Sequence, residues 1–293
     1  MTATTSLTED TCLTDTDTAA RIALAAAGVA GDLSVAIAIG AIGGAAPFVA
    51  AVHDGADRVL PLSNLTRHRI RTLATGARVA RILSATAEQN LVVLTPQHAS
   101  WPGQVRALGR AAPLLLWVAG DPAVLTAPSV ALTGTAAPTG YGTHMALEFG
   151  TGLAQRGWVI AAGAGSGIDH LSLRAAIAMG GKTVAVSAAE PARVRVPAGT
   201  TVVSELPPTA PVTVRSQRRA KHLLAALTVK TILVEASLSS GAIRTAEAAH
   251  AMSRPVGVVP GPVTSPESGG CHQLARRHGV QLVTSIRDAD RLR

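Results

Sequence analysis

The chain has 293 residues, with 26 lysine and arginine residues against 18 acidic residues and a formal net charge of +8. This length allows one large and one small domain with a full hydrophobic core. Hydrophobic residues make up 47% of the chain and aromatic residues only 2%, so alanine, valine and leucine must build that core. The positive charge favours a polyanionic partner such as nucleic acid. An arginine-rich, lysine-poor composition can equally reflect the base composition of a genome.

The sequence indicates that the protein neither enters a membrane, nor is secreted, nor holds a metal ion. Val29–Val52 is the most membrane-like stretch, but Asp32, Pro47 and several glycines interrupt it, so we predict alanine-rich helices rather than a span. The N-terminus lacks the basic region of a signal peptide. Cys12 and Cys271 are isolated thiols that cannot form a zinc site by themselves. We expect a cytoplasmic protein with no membrane contact, no metal and no cofactor.

The N-terminal part is predicted to be helical after a short tail. Residues 1–16 are rich in threonine and aspartate and are predicted to be disordered. Residues 17–62 are predicted to form a small helical module, with breaks at Gly28–Gly31, Gly43–Gly44 and Pro47.

A basic segment follows this module. We predict one helix over Thr66–Ile82, with a shared face that carries Arg67, Arg71, Arg78 and Arg81. Either a solvated face or a contact with DNA would explain this arrangement.

Residues 63–293 are predicted to form an α/β domain with a Rossmann-like parallel sheet and helices on both faces. Short apolar runs bounded by glycine or turn residues are typical of buried parallel strands. The predicted strands are Asn90–Leu94, Leu114–Val118, Val130–Leu132, Trp158–Ala161, Thr183–Val186, Thr201–Ser204, Thr231–Glu235, Val256–Val259 and Gln281–Thr284. Helical segments separate most of these runs, as parallel strands require.

Two glycine-rich turns follow consecutive strands. Gly134 and Thr135 follow one strand, and Gly163–Gly167 follows the next and opens directly into a helix. Free N–H groups at a helix start attract anions, and ligands of parallel sheets bind at the carboxyl ends of the strands. The spacing differs from the dinucleotide fingerprint because Ile168 occupies the position of its third glycine. The turns therefore predict phosphate binding, and tight packing is the structural alternative.

Two later helix starts add candidate contacts. Arg215, Arg218 and Arg219 begin the densest basic cluster of the chain, and cations at a helix start suit a bound phosphate better than the helix dipole. Ser240 and Gly241 place a hydroxyl and a small residue at another helix start, where the hydroxyl can cap the helix or donate to phosphate.

No catalytic constellation stands out. His170 directly follows Asp169, and adjacent residues of a helix point about 100° apart. A serine hydrolase would need an acidic residue and then a histidine after its nucleophile, but His250 and Asp288 come in the wrong order. We expect a protein that is not an enzyme.

The ordered motifs resemble those of the DNA-processing family called DprA or Smf. Gly134–Gly142 stands in place of the family's G-S-R-x-P-T-x-Y-G element, and Gly163–Asp169 in place of G-x-A-R-G-I-D. Further elements that resemble the family are Trp101–Pro102, Gly180–Val186, Val234–Gly241, Val259–Val263 and Ser268–Cys271. Several arginines of the family pattern are missing, and their positions hold Ala136, Ser166 and Ser239.

The resemblance implies a non-enzymatic protein that binds and protects single-stranded DNA and assists loading of a RecA-type recombinase in DNA uptake or recombination. It also implies a homodimer, and from the position of the last predicted strand we expect no winged helix of the kind that many members carry at the C-terminus. The candidate DNA- or phosphate-binding residues are Gly134, Thr135, Gly163, Gly165, Ser166, Gly167, Asp169, Arg174, Lys182, Arg215, Arg218, Arg219, Lys221, Ser240 and Gly241. Because motif arginines are missing, two alternatives stay open. The scaffold could hold a nucleotide or phosphorylated ligand as a sensor or enzyme, or the chain could be a degenerate paralogue that pairs with a true member.

Overall fold

In the computed structural model, which describes residues 16–57 and 60–293, nine strands form one sheet in the order β1-β2-β6-β5-β4-β3-β7-β8-β9. The strands are β1 (Val92–Leu94), β2 (Leu116–Ala119), β3 (Ser129–Thr133), β4 (Val159–Gly163), β5 (Thr183–Ser187), β6 (Thr201–Ser204), β7 (Lys230–Leu233), β8 (Val256–Val258) and β9 (Val280–Leu282). Each predicted strand is present, with ends displaced by no more than two residues. Nearly all of the predicted tail, with Cys12, lies outside the described residues.

The helices are α1 (Thr16–Ala26), α2 (Leu33–Ile42), α3 (Ala45–Asp54), α4 (Asn64–Leu73), α5 (Gly76–Glu88), α6 (Gly140–Ala154), α7 (Ile168–Ala178), α8 (Val214–Leu227), α9 (Ile243–Ala251), α10 (Gly269–Ala275) and α11 (Ile286–Arg291). Strands β3 to β9 run parallel to one another, whereas β2 pairs antiparallel with β6 and β1 antiparallel with β2. The centre of the sheet is therefore parallel, as predicted, and one edge is antiparallel.

The chain reverses its direction of travel across the sheet at β3. Strands β4, β5 and β6 follow on one side of β3, and the chain then returns to place β7 on the other side. Such a switch point opens a crevice at the carboxyl ends of the strands, which is where ligands of open α/β sheets bind.

Helices cover both faces of the sheet, as predicted. In β3, Ala131 faces Leu223 and Leu227 of α8, whereas Val130 and Leu132 face the side covered by α6 and α7. This alternation follows from the two-residue period of a strand. It fixes α8 on one face of the crevice and α7 on the other.

The N-terminal helices break at both glycine pairs, and Gly43 adopts a left-handed φ of 90°. The predicted break at Pro47 is wrong. Pro47 is the third residue of α3, in the first turn, where a missing N–H costs no intrahelical hydrogen bond. Among the described residues, no single helix has the length and apolar character to cross a membrane; α2 and α3 meet that test only as a pair, which is bent by 100°.

The single helix predicted over Thr66–Ile82 is wrong. The chain forms α4 and α5 because Thr75 is extended and acts as the N-cap of α5. The two helices pack with α1 and α3 in a core that contains Phe48 and Ile70, so helical packing continues beyond residue 62, the predicted module boundary.

The arginines of this segment do not share a face. Arg67 and Arg71 bind the fully buried Asp57 at 2.6 and 3.1 Å. Arg78 and Arg81 lie on α5 instead and face a cleft described below.

Candidate nucleic-acid interface

A cavity of about 410 Å³ lies at the carboxyl ends of the central strands. Its walls are the turns after β3, β4 and β5, the start of α9 and one side of α8. Seven predicted site residues line it: Gly134, Gly163, Gly165, Asp169, Lys221, Ser240 and Gly241. The structure thus brings together residues more than 100 positions apart at the switch point of the sheet.

Glycine is required in both turns by contacts with the protein itself. A Cβ on Gly134 would lie 2.6 Å from the backbone oxygen of Glu235 and 2.7 Å from Cγ1 of Ile168. A Cβ on Gly163 would lie 2.5 Å from Oδ2 of Asp169. Real Cβ atoms do not approach other atoms this closely, so the tight-packing explanation accounts for these glycines. The cavity beside them is a separate observation.

The two turns also bind each other. The Thr135 N–H donates to the Glu235 backbone oxygen at 2.7 Å, and the Ile168 N–H donates to the Thr135 oxygen at 3.1 Å. Gly167 adopts a φ of 67°, and a Cβ there would collide with the backbone of Ala136. Thr135 and Gly167 therefore hold the turns together without lining the cavity, and Ser166 is exposed in the same turn.

The start of α6, which follows the first turn, is already occupied by a carboxylate. Glu235 is buried and accepts hydrogen bonds from the Thr139 backbone N–H at 2.9 Å and from the Thr139 hydroxyl at 2.7 Å. A negative group at a helix start is favoured by the helix dipole. This role of Glu235 was missed from sequence, since only the fold brings it 96 residues back to Thr139.

One cation and one carboxyl group face each other across the cavity. Burial raises the pKa of Asp169 to about 7, against the opposing effects of Thr133, the backbone N–H groups and the Lys221 cation. Its Oδ1 atom has no hydrogen-bond partner among the described residues. Burial also lowers the pKa of Lys221, as does Arg244, while Asp169 acts in the opposite direction.

The Lys221 ammonium occupies space that is open because Gly241 has no side chain. Its Nζ lies directly over Gly241, where a Cβ would stand. No other cavity-lining side chain in the described parts of the chain is cationic. Arg244, exposed on the first turn of α9, lies near enough to influence Lys221 and was missed from sequence. Its position three residues after Gly241 is the signal that could have identified it.

Lys182, another candidate phosphate-binding residue, does not line this cavity. It immediately precedes β5, and its backbone oxygen accepts from Ile160 near the start of β4. Five residues of strand at about 3.3 Å each place it about 17 Å from the carboxyl edge. Arg174 is exposed on α7, and Arg218 is exposed on α8; neither lines the cavity.

Arg215 and Arg219 line a second cleft, of about 520 Å³, between the helical module and the sheet. Arg219 forms an ion pair with Glu205 and donates to the Ala111 oxygen at 3.2 Å. Arg215 donates to the Ala30 oxygen at 3.0 Å. The basic start of α8 therefore faces a different space from Lys221.

The described residues contain no group of three or more histidine, cysteine, aspartate or glutamate side chains that could hold a metal ion. Cys271 is fully buried, and burial raises the pKa of its thiol to about 12. A thiol held this far from ionisation is a packing residue.

Comparison with known proteins agrees with the motif resemblance. The family model of DNA recombination-mediator protein A matches residues 92–291. A DNA processing protein DprA of Mycobacterium tuberculosis is 39% identical over 228 residues, covering 67% of this chain and 56% of that protein. Protein Smf of Escherichia coli is 33% identical over 183 residues, covering 59% and 49% respectively. The chain thus spans about half the length of these curated relatives.

Solved structures show the same fold. The DNA processing protein A of Streptococcus pneumoniae superimposes with a TM-score of 0.74 at 23% identity, over 94% of this chain and 97% of the other. The protein of the same name from Helicobacter pylori, described for its single-stranded DNA binding mode, gives 0.60 at 24% identity over 68% and 93%. Since the family model covers the sheet from β1 to α11, the chain belongs to the DNA recombination-mediator protein A family, also called DprA or Smf.

Proposed function

We propose that this protein binds single-stranded DNA without catalysing a reaction, and that the strand's backbone enters the cavity at the carboxyl ends of β3, β4 and β5. The observation that supports this most directly is the Lys221 ammonium, held over Gly241 at the switch point of the sheet. Membership of a recombination-mediator family and the single-stranded DNA binding of the Helicobacter pylori protein support the same substrate class.

The mode of binding follows from composition. Only 2% of the residues are aromatic, and none of the described residues that line the cavity is aromatic. Bases therefore lack the stacking platforms that many single-strand binders use, and affinity must come from phosphate contacts. Binding of this kind releases counterions and weakens steeply as salt is added.

The test is fluorescence anisotropy of labelled oligo-dT, titrated with protein at several salt concentrations. Lys221→Ala should weaken binding several-fold and reduce the slope of log K against log salt by about 0.7, the loss of one phosphate contact on a single strand. The matched control is Lys182→Ala, which removes the same charge at the opposite edge of the sheet and should change neither value.

The same titration at different pH values tests the role of Asp169. Because its pKa is raised to about 7, its negative charge is lost as the pH falls through that value, leaving the Lys221 cation uncompensated. Affinity for the strand should therefore rise as the pH falls through about 7. If the native protein binds the strand, but its affinity changes neither with Lys221→Ala nor with this change of pH, then the strand binds outside the cavity.

A nucleotide or small phosphorylated ligand is the second candidate. Among the described residues, Lys221 is the only cation that lines the cavity, and the positions of three family arginines hold Ala136, Ser166 and Ser239. A lining with a single cation suits a ligand with one or a few phosphate groups better than a polynucleotide. A nucleotide would saturate at one molecule per chain with little salt dependence, and in that case oligo-dT would not bind even at low salt. Isothermal titration calorimetry with nucleotides separates the two candidates.

The finer parts of the proposal come from the family resemblance. We infer that the protein forms a homodimer in the cytoplasm, protects strands from nucleases and assists loading of a RecA-type recombinase. Light scattering tests the dimer. For recombinase loading, the test is the rate at which the recombinase coats single strands. If this rate does not rise when the protein is added, the loading role is wrong. If oligo-dT also fails to bind, the result favours the degenerate-paralogue alternative.

A further inference from the structure

The cleft of about 520 Å³ between the helical module and the sheet has a strong positive charge. Its lining contains Arg69 of α4, Arg78 and Arg81 of α5, and Arg215 and Arg219 of α8. Glu205 is the one carboxylate among the described residues of that lining, so five arginines against one glutamate give them a formal charge of +4. The carboxyl-edge cavity, with Lys221 and Asp169, has a formal charge of zero.

Most of this charge is not neutralised by the protein. Arg219 pairs with Glu205, but Arg69, Arg78 and Arg81 form no ion pair within residues 16–57 and 60–293. The nearby Arg67 and Arg71 differ, since both bind the buried Asp57. Arginines that are held close together without carboxylates repel one another, and an anion placed between them relieves that repulsion.

The lining of the cleft suits a chain of phosphates. Besides the arginines it contains apolar residues such as Ala25, Ile82 and Pro207, and none of its described residues is aromatic. Guanidinium groups bind phosphate through paired hydrogen bonds, which makes arginine the usual residue for phosphate recognition. Apolar side chains beside several guanidinium groups can contact the sugars and bases of a strand without reading its sequence.

The cleft adjoins the carboxyl-edge cavity. Ser187, Ala188 and Ala220 line both spaces, so the two spaces share a boundary that includes these small side chains. Helix α8 divides its side chains between the two, with Gln217 and Lys221 on the cavity and Arg215 and Arg219 in the cleft. Both pairs are four residues apart and therefore form parallel rows along the helix.

We propose that this arginine cleft binds the backbone of the single-stranded DNA segment that leaves the carboxyl-edge cavity, and that it supplies most of the electrostatic attraction for the strand. The inference depends on the proposed function, because it assigns a second stretch of the same ligand. The cleft and the cavity together form one track that crosses α8 over Ala220.

The test compares a long oligo-dT with one of about four nucleotides, which is at the small end of known single-strand site sizes. The variant is Arg78→Gln/Arg81→Gln. Its matched control is Arg276→Gln/Arg287→Gln, which removes two exposed arginines at the far end of the sheet that form no ion pair with any described residue. Thermal melting of both variants checks folding, and the single exposed-site variant Arg81→Glu provides a second measurement.

For long oligo-dT, we expect the cleft variant to lose affinity by about ten-fold at low salt and its salt slope to fall by about 1.4, the value for two phosphate contacts on a single strand. The short oligonucleotide should bind the variant and the native protein equally, and the control should bind both lengths normally.

Two other results are distinguishable. If long oligo-dT binds the native protein and responds to Lys221→Ala but not to the cleft variants, the cleft proposal is overturned and the proposed function stands. If the native protein binds no oligo-dT at low salt, both are overturned together.

Discussion

The enclosed carboxyl group of Asp169 should make the stability of this protein depend on pH between about 4 and 7. Burial raises its pKa from 3.8 to about 7. Within that interval the folded protein holds a proton that the unfolded chain has released, so the free energy of unfolding falls as the pH rises. The destabilisation is absent below about pH 4 and complete above about pH 7.

The magnitude follows from the size of the shift. A rise of about three pKa units corresponds to about 4 kcal/mol, at about 1.4 kcal/mol for each unit. Asp169 keeps some contact with solvent at the cavity wall, which reduces this value, so we expect about 2–4 kcal/mol. Asp169→Asn keeps the shape of the side chain and cannot ionise. Relative to the native protein, the variant should therefore gain this amount as the pH rises through the interval.

Urea unfolding followed by circular dichroism, at several pH values from about 4 to about 8, measures this difference directly. Other titrating groups contribute equally to both proteins and cancel. The matched control is Asp54→Asn, which removes an exposed carboxyl group outside the cavity. A native-to-variant difference that stays constant over the whole range would refute the enclosed, desolvated carboxyl group and with it the pH dependence expected for strand binding.

Three further substitutions test contacts that the structure assigns. Gly241→Ala places a methyl group where the Lys221 ammonium lies, so oligo-dT affinity in anisotropy should fall as much as in Lys221→Ala while the melting temperature changes little; unaltered affinity would contradict that position. Glu235→Gln weakens the cap on Thr139 and should lower the free energy of urea unfolding by about 1–2 kcal/mol, whereas an unchanged midpoint would contradict the cap. Asp57→Asn leaves two arginines of α4 without their buried carboxylate and should cost about 3 kcal/mol by the same measurement; a loss below about 1 kcal/mol would show that water already reaches this pair.

The sheet could be predicted from sequence because each strand is a short apolar run that ends in a turn residue. Ser204 ends both the predicted and the observed β6. Lys182 was grouped with the glycine turns as a candidate phosphate-binding residue, although the predicted strands already separated it from them. A residue that precedes a parallel strand lies at its amino end, whereas Gly134 and Gly163 follow their strands. Strand direction decides which edge a residue occupies, and closeness to a motif in sequence does not.

In the basic helices, the spacing of the arginines along the sequence does not reveal which of them share a face or which pair with a carboxylate. The interval between Arg71 and Arg78 fits a continuous helix, but an extended Thr75 interrupts it. Nor does any local pattern reveal that Asp57 binds Arg67 from 10 residues away. Which arginines are neutralised and which are available depends on such tertiary pairs, so the cleft could not be found before the fold was known.

The structure shows that the packing of the turn glycines and the positive charge available for DNA are separate properties of this protein. Gly134 and Gly163 are explained by Glu235, Ile168 and Asp169, which occupy the space where their side chains would be, and Gly167 by its positive φ and the nearby backbone of Ala136. A protein with this fold would need them whether or not it bound DNA. The charge is independent of that packing, and here it lies mainly along the cleft side of α8 and on α5 rather than in the turns. The glycine motifs therefore establish the scaffold, while Lys221 and the cleft arginines decide whether a polyanion binds to it.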